Sequence, residues 1–152
     1  MKGELEMLAQ VAGAPIVLIV SSFEEDHSTL LRILGECDCE VHAVGTCRQG
    51  LAILRQRAVS VVICERDLPD GTWKDILQAP EMQRDRPPLI VTSRLADDYL
   101  WVEVLNLGGY DVLSKPLDHK EVEWAIDSAR RNWTHQRYHE KRVMTASYGG
   151  TA

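Results

Sequence analysis

VSVVICERDLPDG, residues 59–71, runs apolar as far as Glu65 and then turns. Val59, Val61, Val62, Ile63 and Cys64 are β-branched or small, which suits a strand buried on both faces, as in a parallel sheet covered by helices. An acid at the end of such a strand is costly unless it has a partner. Glu65 falls at the carboxyl end, where open α/β sheets place their ligand crevices, and Leu68-Pro69-Asp70-Gly71 reads as a turn into a helix. Glu65 is therefore the first candidate site residue.

The same pattern repeats on both sides of this stretch. PIVLIV (15–20) is a second all-apolar run. After it, Ser22 and Glu25 have the capping-box spacing, which predicts a helix starting there, carrying Leu30, Leu31, Ile33 and Leu34 and stopping at Gly35. CEVHAVG (39–45) predicts a shorter strand, and Thr46 with Gln49 repeats the capping spacing ahead of Cys47, Leu51, Leu54 and Ala58. After the central strand, Thr72 is placed to cap a helix holding Trp73, Ile76 and Leu77, and QAPEMQRDRPP (78–88) reads as a proline-bearing loop. LIVTS (89–93) is the fourth strand. ADDYLWVEVLNLGG (96–109) has acids in a first helical turn and glycines after the last, as the helix dipole and a left-handed C-cap favour. YDVLSKP (110–116) is the fifth strand, and Asp118 and Glu121 open a final helix with Val122, Ala125, Ile126, Ala129 and Trp133 on one face.

Five strands alternating with helices predict a three-layer, doubly wound α/β sandwich around a five-stranded parallel sheet with right-handed crossovers. The expected organisation is an extension over 1–14, with a helical turn or two near Leu5, Leu8 and Val11, one globular domain over 15–133, and an extended helix end and tail over 134–152.

The 152 residues are 45% apolar, enough for one core, and the net charge of −6 is uneven. Residues 130–152 hold five Lys or Arg against Glu140, leaving 12 basic against 22 acidic residues, or −10, in the rest. An acidic body argues against general nucleic-acid binding, and a basic tail with no recognition helix beside it reads as a solvated helix end. Cys37, Cys39, Cys47 and Cys64 lack zinc-set spacing and are expected as reduced thiols. Glu4 and Glu6 lie where an apolar signal core would have to be, and no apolar run approaches the roughly 18 residues of a membrane span, so the chain is expected in the cytoplasm.

On the predicted topology the strand ends bring Ser21 and Ser22, Glu65, Thr92 and Ser93, and Lys115-Pro116 around one crevice. With ERDLPDG at the third strand, the Thr92-Ser93 pair, and Lys115-Pro116 after the fifth, residues 15–130 resemble the receiver domains of two-component response regulators. The resemblance implies a (βα)5, flavodoxin-like receiver fold. It also implies an aspartate phosphoacceptor ending the third strand, an acidic pair holding Mg²⁺ at the end of the first, and a hydroxyl and a lysine contacting the phosphate. Thr92 and Lys115 occupy the hydroxyl and lysine positions. The acceptor position is Glu65, the acidic-pair positions are Ser21 and Ser22, and the position of the usual switch aromatic, three before the lysine, is Val112.

Each departure touches the chemistry. Mg²⁺ wants oxygen ligands with carboxylates among them, and two serine hydroxyls supply no charge, so Mg²⁺ binding is expected weak or absent and no other cofactor is implied. Without metal, the main electrostatic stabilisation of phosphoryl transfer is missing. Glu65 carries its carboxylate roughly 1.5 Å further out than aspartate would, toward the place of phosphoryl oxygens and within reach of Lys115 and Thr92. It carries −1 where a phosphoryl group carries close to −2. Glu65 is thus either a phosphomimic or a structural acid satisfied by an ion pair with Lys115.

The expected function is a stand-alone, phosphorylation-independent receiver-like protein of a two-component phosphorelay, without catalysis. It would act on protein partners such as a histidine kinase or output protein, or as a homodimer, with no membrane or nucleic-acid role. Trp101 and Trp124, off the apolar stripes of their helices, are candidate exposed partner contacts. Two alternatives stay open: a phosphorylatable regulator using an offset acid, Glu24, Glu25 or Asp67, and a small α/β enzyme with Glu65 and Lys115 as acid and base. The latter lacks a Gly-rich phosphate loop or a nucleophile beside a base.

Overall fold

The computed structural model describes residues 15–132, so the expectations for 5–11, for Trp133 and for the tail lie outside the described residues. In chain order the elements are β1 (Ile16–Val20), α1 (Glu24–Leu34), β2 (Glu40–Val44), α2 (Cys47–Gln56) and β3 (Val61–Glu65). A two-residue hairpin, β4 (Asp67–Leu68) and β5 (Gly71–Thr72), leads into α3 (Trp73–Leu77) and α4 (Pro80–Asp85). Then follow β6 (Leu89–Ser93), α5 (Asp98–Leu107), β7 (Asp111–Ser114) and a final helix α6 over 119–132. The sheet is five-stranded and parallel in the order β2-β1-β3-β6-β7. Among the described residues, no helix is long and apolar enough to cross a membrane.

The three central strands β1, β3 and β6 are buried along their whole length and apolar up to their carboxyl ends because both faces are covered, whereas the edge strands β2 and β7 carry polar residues. Leu18, Val62, Cys64, Leu89 and Val91 face one core, packed by Leu54 of α2, Trp73 and Ile76 of α3, Met82 of α4 and Leu100 and Val104 of α5. Their neighbours Val17, Ile19, Val61, Ile63 and Ile90 face the other, against Leu30, Ile33 and Leu34 of α1 and Val122, Ala125, Ile126 and Ala129 of α6. Strand periodicity of two sorts each run between the layers.

Three local expectations change, the simplest being that α2 ends at Gln56, short of Ala58, which is exposed. The proline-bearing loop contains α4, which Pro80 starts from the favoured first helical position and Met82 anchors in the core; it ends at Arg86 in the left-handed region, φ 46°. The Ser22–Glu25 capping box does not form. α1 begins at Glu24 with Phe23 as N-cap and no side-chain cap bond, and the hydroxyl of Ser21 accepts the Phe23 N–H instead. Thr46, Thr72 and Asp97 do cap α2, α3 and α5, and Gly108 takes φ 102° after α5.

The turn after β3 is tied back to the scaffold. Asp70 accepts hydrogen bonds from the backbone N–H groups of Cys47, at 2.8 Å, and Arg48, at 3.0 Å, at the start of α2. These bonds, that to Arg48 foremost, hold the Asp70 carboxyl below its ordinary value of 3.8. A carboxyl lowered in the folded state adds stability above its unfolded value and loses it as pH falls through the folded one. Asp70→Asn is therefore expected to lower the thermal midpoint at neutral pH, with the gap to wild type closing in acid. Thermal unfolding of both proteins from neutral pH to below pH 3.8 checks this.

Candidate functional site

Strand register and alternation build the site. β3 and β6 pair so that Glu65 lies beside Thr92, one step beyond the core pair Cys64 and Val91. By alternation from Ile63 and Ile90, both side chains point to the layer that contains α1. The Thr92 hydroxyl donates to Glu65 Oε2 at 2.9 Å. Lys115, just past β7, reaches the same oxygen with its Nζ at 2.8 Å.

Lys115 also reaches a residue that the sequence reading left out. Its Nζ lies 3.1 Å from Oδ2 of Asp26, on the first turn of α1. The Ser21 hydroxyl donates to that same oxygen at 2.6 Å. The Phe23 ring covers the ammonium, with its centroid 4.3 Å from Nζ. An ammonium has three protons and no lone pair; two carboxylates and a ring face supply three acceptors. All three side chains of the ion group, Asp26, Glu65 and Lys115, are 8% exposed. Asp26 was legible in principle: positions 26, 30, 33 and 34 form the buried stripe of α1, and the first of them is an acid.

Of the expected site residues, Ser21, Glu65, Thr92 and Lys115 come together, while Ser22 is exposed beside them. Ser93 turns its hydroxyl to the backbone N–H of Leu95. Val112 is half-buried, paired with Val91 in the sheet and packed on the opposite core from Glu65. The offset acids Glu24, Glu25 and Asp67 are exposed, and Asp67 lies 3.9 Å from Arg66. Trp101 and Trp124 are exposed, as their positions off the stripes predicted.

Elsewhere, all four cysteines are free. Burial first, then the nearby Asp70 carboxylate, pushes the Cys47 thiol up to about 11, and burial pushes Cys64 well above its ordinary value, so neither is a ready nucleophile. Glu36, His119 and Glu123 bring ligand atoms within 4.8 Å of one another on the surface, where the His119 ring already pairs with Glu123 at 3.0 Å.

A hydroxyl and a lysine thus converge on the acid that ends the third strand. The profile of the response regulator receiver domain matches residues 17–127. The chain belongs to this family of receiver domains. It is 26% identical over 95 residues, 62% of this chain, to the luminescence regulatory protein LuxO of Vibrio campbellii, and 28% identical over 110 residues, 70% of this chain, to the two-component response regulator-like protein APRR1 of Arabidopsis thaliana. These segments are 21% and 18% of the relatives, so the chain matches about a fifth of either protein. A crystal structure of the signal receiver domain of an HD domain-containing protein from Pseudomonas fluorescens superposes with a TM-score of 0.75 at 27% identity, covering 82% of this chain and 93% of that one. Receiver domains are signalling domains of two-component systems, where they meet kinases or output proteins.

This receiver domain therefore holds a glutamate in the strand-end cleft, bound on both sides. Removing one member of a buried ion pair strands the other and costs on the order of 3 to 5 kcal/mol, against about 0 to 1 for an exposed pair. Lys115→Met is expected to lower stability within the larger range, and by less when Glu65→Gln is already present. Denaturant unfolding of wild type, both single variants and the double variant measures the coupling; simple additivity would mean that the Glu65–Lys115 contact carries no energy of its own.

Proposed function

We propose that this receiver domain is a phosphorylation-independent interaction module of a two-component pathway, in which Glu65 stands permanently where a phosphorylated side chain would stand in a switching receiver. The observation that carries the reading is the double hold on Glu65 Oε2, by Lys115 at 2.8 Å and Thr92 at 2.9 Å. The hydroxyl and lysine that would contact a phosphoryl group are already spent on the carboxylate. Phosphorylation at Glu65 would have to break both contacts in a buried cleft. Glu24, Glu25 and Asp67 are exposed and outside these contacts, which counts against an offset acceptor. A lysine held by two carboxylates and a glutamate held by two donors are also poorly placed to exchange protons with a substrate, which counts against an acid–base enzyme.

The partner on this reading is a protein, a kinase or output protein or a second copy of the chain. α5 supports it: Tyr99, Trp101, Val102, Leu105 and Leu107 are all exposed on ten residues. Scattered exposed apolar side chains are ordinary, but a run of this density on one helix marks an interaction surface.

The direct test is incubation with Mg²⁺ and a small-molecule phosphodonor such as acetyl phosphate, followed by intact mass measurement under conditions that preserve acyl phosphates. No stoichiometric gain of a phosphoryl group is expected, for wild type or for Glu65→Gln. A full gain in wild type that Glu65→Gln abolishes would sink the reading, and a gain that survives Glu65→Gln would point to an offset acid.

A further inference from the structure

We propose that the Lys115 ammonium is the resident cation of this cleft: it occupies the position between Asp26 and Glu65 that a divalent metal would otherwise take, and removing it turns the pair of carboxylates into a divalent-cation site. The inference rests on the reading above that Lys115 holds Glu65.

The Mg²⁺ that the receiver family uses does not fit the residues present. Of the two positions ending β1, Ser22 is exposed, and the Ser21 hydroxyl is engaged, donating to Asp26 and accepting from the Phe23 N–H. Yet the cleft is not short of carboxylates, as the two serines suggested. Asp26 supplies the second one from α1 rather than from β1. Its Oδ2 and Glu65 Oε2 lie 3.1 and 2.8 Å from a single nitrogen. Each would need to close in by only roughly 1 Å or less to reach the oxygen–metal distances of Mg²⁺ or Ca²⁺. What keeps a metal out is the charge already there.

The charge count favours one cation, not two. Within the buried ion group Asp26 and Glu65 carry −2, and the ammonium reduces the group to −1, while Glu25, Arg32 and Arg94 line the rim of the same cleft. A divalent ion beside the ammonium would place two cations against each other in a low-dielectric site, where the repulsion is little screened. A divalent ion without the ammonium would balance the two carboxylates fully. The ring of Phe23 fits the first arrangement and not the second: its face attracts the third ammonium proton and offers a hard, oxygen-seeking metal no ligand.

The test compares wild type, Lys115→Ala and Lys115→Ala with Glu65→Gln, titrated with Mn²⁺ and Mg²⁺ at constant ionic strength. Binding is read from the thermal midpoint and from Mn²⁺ broadening of the Asp26, Glu65 and Thr92 amide signals. Wild type is expected to show no saturable response at millimolar metal. Lys115→Ala is expected to bind Mn²⁺ at least roughly tenfold tighter than wild type, with local broadening and a raised midpoint, and the double variant to lose this gain. Saturable binding at Glu65 in wild type at sub-millimolar metal, or a folded Lys115→Ala that binds no tighter than wild type, overturns the proposal.

Should Lys115→Ala fail to fold alone, wild type supplies a second measurement. Acetylation of Lys115 is expected to be slower than that of the more exposed Lys74, and unchanged by Mg²⁺. Mg²⁺-accelerated labelling of Lys115 would mean that metal expels the ammonium, against the proposal. The two readings fail separately: an acyl phosphate on Glu65 overturns the fixed state, and wild-type metal binding without phosphorylation overturns only the resident cation.

Discussion

The Lys115 ammonium, set between Asp26 and Glu65, ties together three parts of the chain that are far apart in sequence: the first turn of α1, the end of β3 and the segment after β7. Each of the three needs the other two. Glu65 ends a strand in which every residue is buried, so without a cation its charge would have to be neutralised or exposed by local unfolding. Asp26 lies on the buried stripe of α1 and faces the same penalty. Among the described residues, Lys115 is the cation that pairs with both. Such a buried group is weak evidence for stability, because desolvation of the charges offsets most of their attraction. Its effect is on arrangement: moving α1, β3 or the β7–α6 segment away from the other two takes at least one buried charge from its ion partner.

How far this was legible in the sequence depends on whether a feature was local. Short, β-branched apolar runs bounded by turn signals, such as VVIC and PIVLIV, read as strands covered on both faces, and their alternation already divides the core into two layers. Thr92 and Lys115 could be placed because register and strand ends follow from the order of elements. Asp26 was missed for a physical reason. It is the third of three consecutive acids, Glu24, Glu25 and Asp26, which the helix dipole alone accounts for. Only the stripe through Leu30, Ile33 and Leu34 separates the inward acid from its exposed neighbours. The failed Ser22 cap has the same origin: a serine pair offers two hydroxyls, and the need of Asp26 for a donor, together with the Phe23 N–H, selects Ser21. α4 was missed because its six residues hold one large apolar side chain, Met82, after a starting proline, so periodicity has nothing to register.

Two ends of a switch can be compared in energetic terms. In a switching receiver, as the family resemblance has it, the hydroxyl moves when phosphate arrives and an aromatic ring three residues before the lysine follows it. Here the Thr92 hydroxyl already has its acceptor, and Val112, with no ring to swing, packs against the core beside Val91. Parting Glu65 from Lys115 while both stay buried would cost on the order of 3 to 5 kcal/mol. An arrangement that far above the ground state is populated below about 1%. A ligand would then have to prefer the rarer arrangement by several kcal/mol merely to make the two equal, and one held carboxylate offers no incoming group with that preference. The exposed face of α5, with Tyr99, Trp101 and Val102, is on this account presented at all times rather than on demand. If the proposed fixed state holds, the partner's own abundance or state, and not the chemistry of the cleft, decides when the module is engaged.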